Sequence, residues 1–326
     1  MLATLLTSMA SISSSPPSYY RGRLAPSPTG YLHVGHARTF WTAYQRALAA
    51  AGSLVMRMED LDPDRSRAEY ADAALEDLHW LGIRWQEGPD LGGPFAPYEQ
   101  SNRHSIYLDA GRKLLEGGFL FPCRCSRKDL EAALSAPHEY LSPSENHLQS
   151  SGEPSNGDMD PLDDEPVYPG TCRTAVVTMP PNSAASEFVE PGNFNWRFRV
   201  PDGEAIEFDD LNLGPQRFVA GVDFGDFVVW RRDGVPSYQL ACVADDAAMK
   251  ITEVVRGEDL LKSTARQILL YRALGLDPPG WFHCRLVADR NGRRLAKRHD
   301  ALSLRTLRRR GVMPQQVIGA EVLTER

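Results

Sequence analysis

Residues 21–36 read Arg-Gly-Arg-Leu-Ala-Pro-Ser-Pro-Thr-Gly-Tyr-Leu-His-Val-Gly-His. The run opens extended, breaks at Pro26, Pro28 and Gly30, and closes with His33-Val34-Gly35-His36 at the head of a helical pattern. From there Phe40, Ala43, Tyr44, Ala47, Leu48 and Ala51 recur at the spacing of one helix face. The stretch therefore predicts strand, turn and helix. A helix N-terminus presents free N–H groups and partial positive charge, and Gly35 lets a ligand come close to the backbone. That makes His33, Gly35 and His36 candidate phosphate-binding residues. Histidines in such a place also cap helices or stand in water, and His-x-Gly-His alone favours that plainer reading.

The chain of 326 residues is 24% charged and 42% hydrophobic, which suits one large or two modest domains around a substantial core. Its net charge of −7 does not advertise a nucleic-acid binder, although a local basic surface suffices for one. No apolar run approaches the ~20 residues of a membrane span. Five cysteines, two of them in Cys123-x-Cys125, fit a reduced cytoplasmic protein with a metal site better than a disulfide scaffold. Residues 1–20 are Ser-rich and carry no charged side chain. They are expected to form a disordered leader or an over-long start, a targeting peptide being the lesser alternative.

Further along, Ser53–Asp60 reads as a buried strand ending in acids, which places Glu59 where open α/β sheets bind ligands. A helix follows with Tyr70, Ala74, Leu78 and Leu81 on one face, and Trp80 and Trp85 are expected in the core. Ser101 is a candidate N-cap for the next helix, which carries Ile106, Ala110 and Leu114. Cys123, Cys125, Tyr168 and Cys172 can close a tetrahedral site as three thiolates and a phenolate oxygen, inert buried cysteines being the rival reading. Between Lys128 and Arg173 no Lys or Arg occurs, and the Ser/Pro/Asp/Glu-rich run is expected to be a disordered acidic loop at about 135–166. Asn195–Phe208 reads as a hairpin around Pro201-Asp202-Gly203, and Asp226–Trp230 as another strand. Ile251–Val255 is a strand ending at Arg256, for which an ion pair with Glu258 or Asp259 is the simple expectation. Ser263–Leu274 is an amphipathic helix. Arg294-Leu295-Ala296-Lys297-Arg298 is, by itself, a basic patch of the kind usually found on a solvated face.

As a set these runs resemble the glutamyl branch of the class I aminoacyl-tRNA synthetases. Arg23–Gly30 followed by His33–His36 is similar to the family's opening and "HIGH" signature. Tyr98-x-Gln100-Ser101-x-Arg103 and Pro236-Ser237-Tyr238-Gln239-Leu240-Ala241 match further runs. Arg294–Arg298 stands where the family has "KMSKS", with Arg294, Ala296 and Arg298 departing from the pattern and Lys297 keeping the lysine. The resemblance implies a Rossmann-type α/β catalytic domain with a zinc-bearing insertion. Its expected divisions are a leader at 1–20, the first half of the domain at 21–118, and the insertion at 119–210. The second half, with the KMSKS-like loop, then occupies 211–300, and a helical tail 301–326.

It also implies roles. L-Glutamate would be held by Arg23, Leu24, Ala25, Pro26, Ser27, Glu59, Tyr238 and Arg256. In that set Arg23 meets the side-chain carboxylate, Arg256 the α-carboxylate and Glu59 the ammonium group. ATP, with Mg²⁺, would be bound by His33, Gly35, His36 and Lys297, with His33, His36 and Lys297 catalytic. One Zn²⁺ per chain would sit on Cys123, Cys125, Tyr168 and Cys172. Few residues follow Lys297, so helical anticodon-binding domains are not expected. The Cys-x-Cys…Tyr-x-x-x-Cys arrangement is that of a branch that activates glutamate without tRNA and attaches it to queuosine in the anticodon of tRNA(Asp). The expected partners are glutamate, ATP and queuosine-containing tRNA(Asp), with no membrane and a monomeric chain. A shortened glutamyl-tRNA synthetase charging a 3′ end, a nucleotidyltransferase of the same fold and a non-catalytic tRNA-binding module are the alternatives. The Arg23/Glu59/Arg256 set speaks against the nucleotidyltransferase, and Lys297 against the module.

Overall fold

The computed structural model describes residues 19–126, 128–130, 167–174, 194–286 and 303–319. Residues 1–18 of the expected leader, the acidic loop at about 135–166 and the Arg294–Arg298 run with Lys297 lie outside the described residues.

Strand β1 (Arg21–Leu24) pairs in parallel with β2 (Ser53–Met56) across helix α1 (Val34–Ala49). Neither strand alternates in burial, as expected of parallel strands covered on both faces. A second parallel pair, β8 (Glu253–Gly257) and β9 (Gly280–Cys284), is joined by α5 (Leu261–Leu274). The two pairs lie side by side, because the Thr252 N–H donates to the Arg21 carbonyl (2.8 Å) and the Arg21 N–H to Thr252 Oγ1 (2.8 Å). Strand order thus reverses between β1 and β8, and the crevice at such a switch point is where this architecture binds ligands.

Beyond the assigned strands the pairing continues. Pro26 and Pro28 have no N–H to offer, but their carbonyls accept from Glu59 N (2.9 Å) and Arg67 N (3.0 Å). The proline-rich loop is thereby tied to the segment after β2, which sets Glu59 beside Arg23's strand.

Two further helices, α2 (Ala68–Trp80) and α3 (His104–Glu116), lead to an antiparallel sheet of β3 (Leu120–Cys123), β4 (Asn195–Phe198) and β7 (Phe227–Trp230). Strands β5 (Ala205–Asp210) and β6 (Gly214–Val219) pair with each other, and β5 extends the β8–β9 sheet. Helix α4 (Tyr238–Ala248) packs against α3 and α5, and the chain ends its described part in α6 (Leu304–Arg309) and α7 (Pro314–Ile318). Trp85 is buried and Trp80 packs partly against the same core cluster. No described helix is long and apolar enough to cross a membrane.

Two local expectations fail. The hairpin at Asn195–Phe208 does not form, because β4 and β5 belong to different sheets. Trp196, Phe198 and Val200 are drawn into the β3–β4–β7 core, and the turn at Gly203 (φ 81°) hands the chain to the other sheet. The true hairpin is β5–β6, where Asp210 Oδ1 accepts from the N–H groups of Asn212 (3.0 Å) and Leu213 (2.8 Å). Ser101 is not an N-cap either. Its N–H and hydroxyl both go to the Asp60 carboxylate (2.9 and 2.6 Å), and α3 starts after Arg103 with no side-chain cap.

Candidate active site

The head of α1 is closed by its own histidines. His33, the N-cap, accepts from the Gly35 N–H through Nδ1 (3.1 Å), and the His33 N–H donates to His36 Nδ1 (3.3 Å). A Cβ on Gly35 would lie 2.9 Å from the His33 ring, so any side chain there displaces the imidazole. The cap already takes the Gly35 N–H, so an anion bound at this helix end has to share that N–H with His33 or displace the imidazole from it. The Leu304 N–H donates to the Leu32 carbonyl (2.7 Å), and Ser303 forms a bridge with His33. The chain therefore returns to this signature directly after residues 287–302.

At the C-terminal ends of β1, β2 and β8 lies a buried charge network. Arg57, fully buried, donates to Asp246 Oδ1 (2.6 Å) and Glu59 Oε1 (3.0 Å). Arg23, 4% exposed, donates to the Val255 carbonyl (3.0 Å) and has Asp246 at 3.6 Å from its Nε. The Cys242 thiol donates to Glu59 Oε1 (3.5 Å), and burial pushes that thiol well above its ordinary range. Of the neighbouring proline loop, Leu24 turns its side chain into the core, Ala25 is half-buried and Ser27 is exposed.

Arg256 faces this network from β8, also buried (5% exposed). Its guanidinium donates to Thr264 Oγ1 (2.6 Å), His283 Nε2 (3.2 Å) and the Tyr238 hydroxyl (3.5 Å). The expected ion pair with Glu258 or Asp259 is absent: among the described residues no carboxylate lies within ion-pair distance of Arg256. Burial holds the Tyr238 phenol protonated, so its O–H remains a donor. Two guanidiniums, a phenol and one carboxylate therefore converge on one crevice. That donor set suits a small ligand with two carboxylates and an ammonium group.

The structure brings Cys123, Cys125 and Cys172 together, with the Tyr168 hydroxyl beside them. Cys123 ends β3, and the Sγ atoms of Cys123, Cys125 and Cys172 lie within 4.8 Å of one another. Cys125 and Cys172 sulfurs are 3.6 Å apart, close to the ~3.8 Å edge of a tetrahedron with 2.3 Å metal–sulfur bonds. The Tyr168 hydroxyl stands 3.3 Å from Cys123 and 3.8 Å from Cys125, and accepts from the Cys172 N–H (2.8 Å). Arg197 lies over the Tyr168 ring at 4.3 Å. Gly225 permits the close approach, since a Cβ there would lie 2.5 Å from the Tyr168 nitrogen. The three cysteines can hold a metal ion.

Arg57, Asp245, Asp246, Asp210, Thr264 and His283 were not among the expected site residues. For three of them a signal existed: Arg57 interrupts an apolar strand, and Asp245-Asp246 an apolar helix, so each charge had to be buried against a partner. Asp245 takes Gln100 Nε2 (2.8 Å), Arg103 Nε (2.6 Å) and the Tyr107 hydroxyl (2.8 Å), which accounts for Gln100 and Arg103 of the Tyr98–Arg103 run.

The family "tRNA synthetases class I (E and Q), catalytic domain" matches residues 20–158 and 171–323. Over 298 residues the chain is 47% identical to the glutamyl-Q tRNA(Asp) synthetase of Symbiobacterium thermophilum, covering 91% of this chain and 84% of that one. It is 39% identical to glutamate–tRNA ligase 2 of Nitrosococcus oceani over 90% of this chain but 56% of that protein. The crystal structure of the glutamate-tRNA synthetase from Elizabethkingia anophelis superposes with a TM-score of 0.67 at 29% identity. That match covers 86% of this chain and 53% of the other, so the chain spans about half the length of these two synthetases.

Proposed function

The chain belongs to the class I tRNA synthetases of the glutamate and glutamine type, on their glutamyl-Q tRNA(Asp) synthetase branch, and from that premise we propose how its residues carry the reaction. The enzyme activates L-glutamate with ATP and transfers it to queuosine in the anticodon of tRNA(Asp). The observation that carries the glutamate assignment is Arg256, buried with neutral partners and without a carboxylate, opposite Arg23 and Glu59.

In the first step an α-carboxylate oxygen of glutamate attacks the α-phosphorus of ATP. The bond from that phosphorus to the bridging oxygen breaks, and pyrophosphate leaves. Arg256 and the Tyr238 O–H orient the α-carboxylate, Arg23 receives the side-chain carboxylate, and Glu59 receives the ammonium. The backbone from Leu24 to Ser27 forms the adjoining wall. His33, Gly35 and His36 supply donors to the phosphates at the head of α1. Mg²⁺ bound with ATP offsets further phosphate charge. Lys297 is assigned to the same phosphates. Fully extended, the chain from Lys297 to Ser303 spans at most about 20 Å, and Ser303 is bridged to His33, so the lysine can reach them. In the second step a hydroxyl of the queuosine cyclopentene-diol attacks the glutamyl carbonyl, loses its proton, and AMP leaves. An unpaired anticodon loop suits this cleft, because its bases can be splayed into a pocket.

The decisive experiment uses radiolabelled glutamate and tRNA(Asp) with and without queuosine, each also lacking its 3′-terminal adenosine. Label is expected on queuosine-bearing tRNA with or without that adenosine, and glutamate-dependent pyrophosphate exchange is expected with no tRNA present. Label confined to intact 3′ ends would instead establish 3′-end charging, the reaction of the longer relatives.

Residues 21–118 and 211–300 form the two halves of the catalytic domain in this reading, flanked by a leader and a helical tail. The insertion between them carries one structural Zn²⁺ on Cys123, Cys125, Tyr168 and Cys172. Elemental analysis of chelator-washed protein is expected to give about one zinc per chain, as a closed four-ligand site requires. Cys125→Ser and Cys172→Ser are each expected to lose it and to unfold at lower temperature. Full zinc content in both variants would reject the ligand assignment.

A further inference from the structure

Behind Arg256 stands a second buried constellation. His283 and Thr264 are fully buried, and Asp210 nearly so. Asp210 Oδ2 lies 2.6 Å from His283 Nδ1, and His283 Nε2 lies 3.0 Å from Thr264 Oγ1. Acid, imidazole and hydroxyl in that order imitate a nucleophile triad. The hydroxyl is not free to attack, however: it accepts from Arg256 Nη2, and its single proton has two acceptors within reach, the Leu260 carbonyl (3.2 Å) and His283 Nε2 (3.0 Å).

The proton inventory gives the arrangement a different use. Asp210 Oδ1 accepts the N–H groups of Asn212 and Leu213, and Oδ2 accepts from the His283 backbone N–H (3.1 Å) and from Nδ1. An ionised carboxylate has no proton to give, so Nδ1 carries the hydrogen and Nε2 is left as a bare lone pair. That lone pair faces Arg256 Nε–H at 3.2 Å. Burial, and then the Arg256 charge itself, depress the His283 pKa to about 4 against the pull of Asp210, which keeps the ring neutral near pH 7. One edge of the guanidinium, Nε and Nη2, is thus pinned by His283 and Thr264, and Nη1 is turned towards Tyr238.

We propose that Asp210 and His283 are a positioning dyad that fixes the tautomer and the rotamer by which Arg256 presents its free edge to the substrate carboxylate. The inference rests on Arg256 being a glutamate ligand. His283 touches no substrate in this scheme and acts through the arginine.

Asp210→Asn tests it with little change of shape. The amide Nδ2–H then donates to Nδ1, the ring proton moves to Nε2, and two N–H groups point at each other. Asp210→Asn and His283→Asn are each expected to raise KM for glutamate about 10- to 100-fold in pyrophosphate exchange, the scale of one lost hydrogen bond to a charged group. KM for ATP should stay nearly unchanged. His283→Gln places an amide oxygen near the former Nε2, and should restore most of the glutamate affinity. Equal losses in KM for glutamate and ATP, or no advantage of Gln over Asn, would reduce His283 to a core residue and overturn the proposal. Should a variant not fold, ¹⁵N NMR of the wild type decides: an Nδ1–H tautomer between pH 6 and 8 supports the dyad, and an Nε2–H tautomer refutes it. Arg256→Ala separates the two levels. If it leaves KM for glutamate unchanged, the glutamate site itself is misassigned; if it raises KM while Asp210→Asn and His283→Asn do not, only the dyad fails.

Discussion

Arg23→Leu is expected to abolish most of the discrimination between glutamate and glutamine. With a guanidinium at 4% exposure, glutamate finds a desolvated charge partner, whereas glutamine leaves that guanidinium only its 3.6 Å contact with Asp246, a carboxylate already taken by Arg57. Such a mismatch is worth about 2–5 kcal/mol, or roughly thirty-fold to several thousand-fold in kcat/KM. The substitution leaves Asp246 paired with Arg57 at 2.6 Å, so the network beneath should survive, and an unchanged unfolding temperature would verify that. The readout is the ratio of kcat/KM for the two amino acids in pyrophosphate exchange. A collapse of the ratio through loss of the glutamate rate supports Arg23 as the side-chain carboxylate's partner. If both rates fall together, Arg23 instead meets the α-carboxylate, which the two amino acids share, and the assignments of Arg23 and Arg256 must be exchanged.

Lys297→Ala is expected to lower kcat by about 10²-fold or more, with a smaller change in KM, because the ammonium is assigned to charge that develops as pyrophosphate departs. Its run departs from the family pattern at Arg294, Ala296 and Arg298. Those arginines supply the competing explanation, so Arg294→Ala and Arg298→Ala belong in the same series. Single-turnover formation of the adenylate isolates the step. Activity within a few-fold of wild type in Lys297→Ala would move the role to one of the arginines.

The order of residues was enough to nominate the groups proposed for the chemistry. Glu59, Tyr238 and Arg256 could be nominated because each ends a strand or opens a helix, and Arg23 because it stands in the Arg21–His36 run whose resemblance to the family implies its role. The same holds for His33, Gly35 and His36, whose backbone needs are met within four residues, and for the Cys-x-Cys and Tyr-x-x-x-Cys pairs. What holds these side chains in place was not legible. Arg57 finds Asp246, Arg103 finds Asp245, and His283 finds Asp210 across separations that no local pattern encodes. Long-range pairing is chosen by which strands become neighbours. The misplaced hairpin shows the limit: Pro201-Asp202-Gly203 has the right turn chemistry, yet the burial of Trp196 and Phe198 sends β4 to one sheet while β5 joins another. Ser101 fails as a cap for a like reason, since Asp60, forty-one positions away, takes both of its donors. Sequence nominated the groups to which the proposed chemistry is assigned. Tertiary structure decided which charges are left uncompensated in the crevice, because a buried guanidinium acquires its meaning only from the partners that packing brings, or fails to bring, within reach.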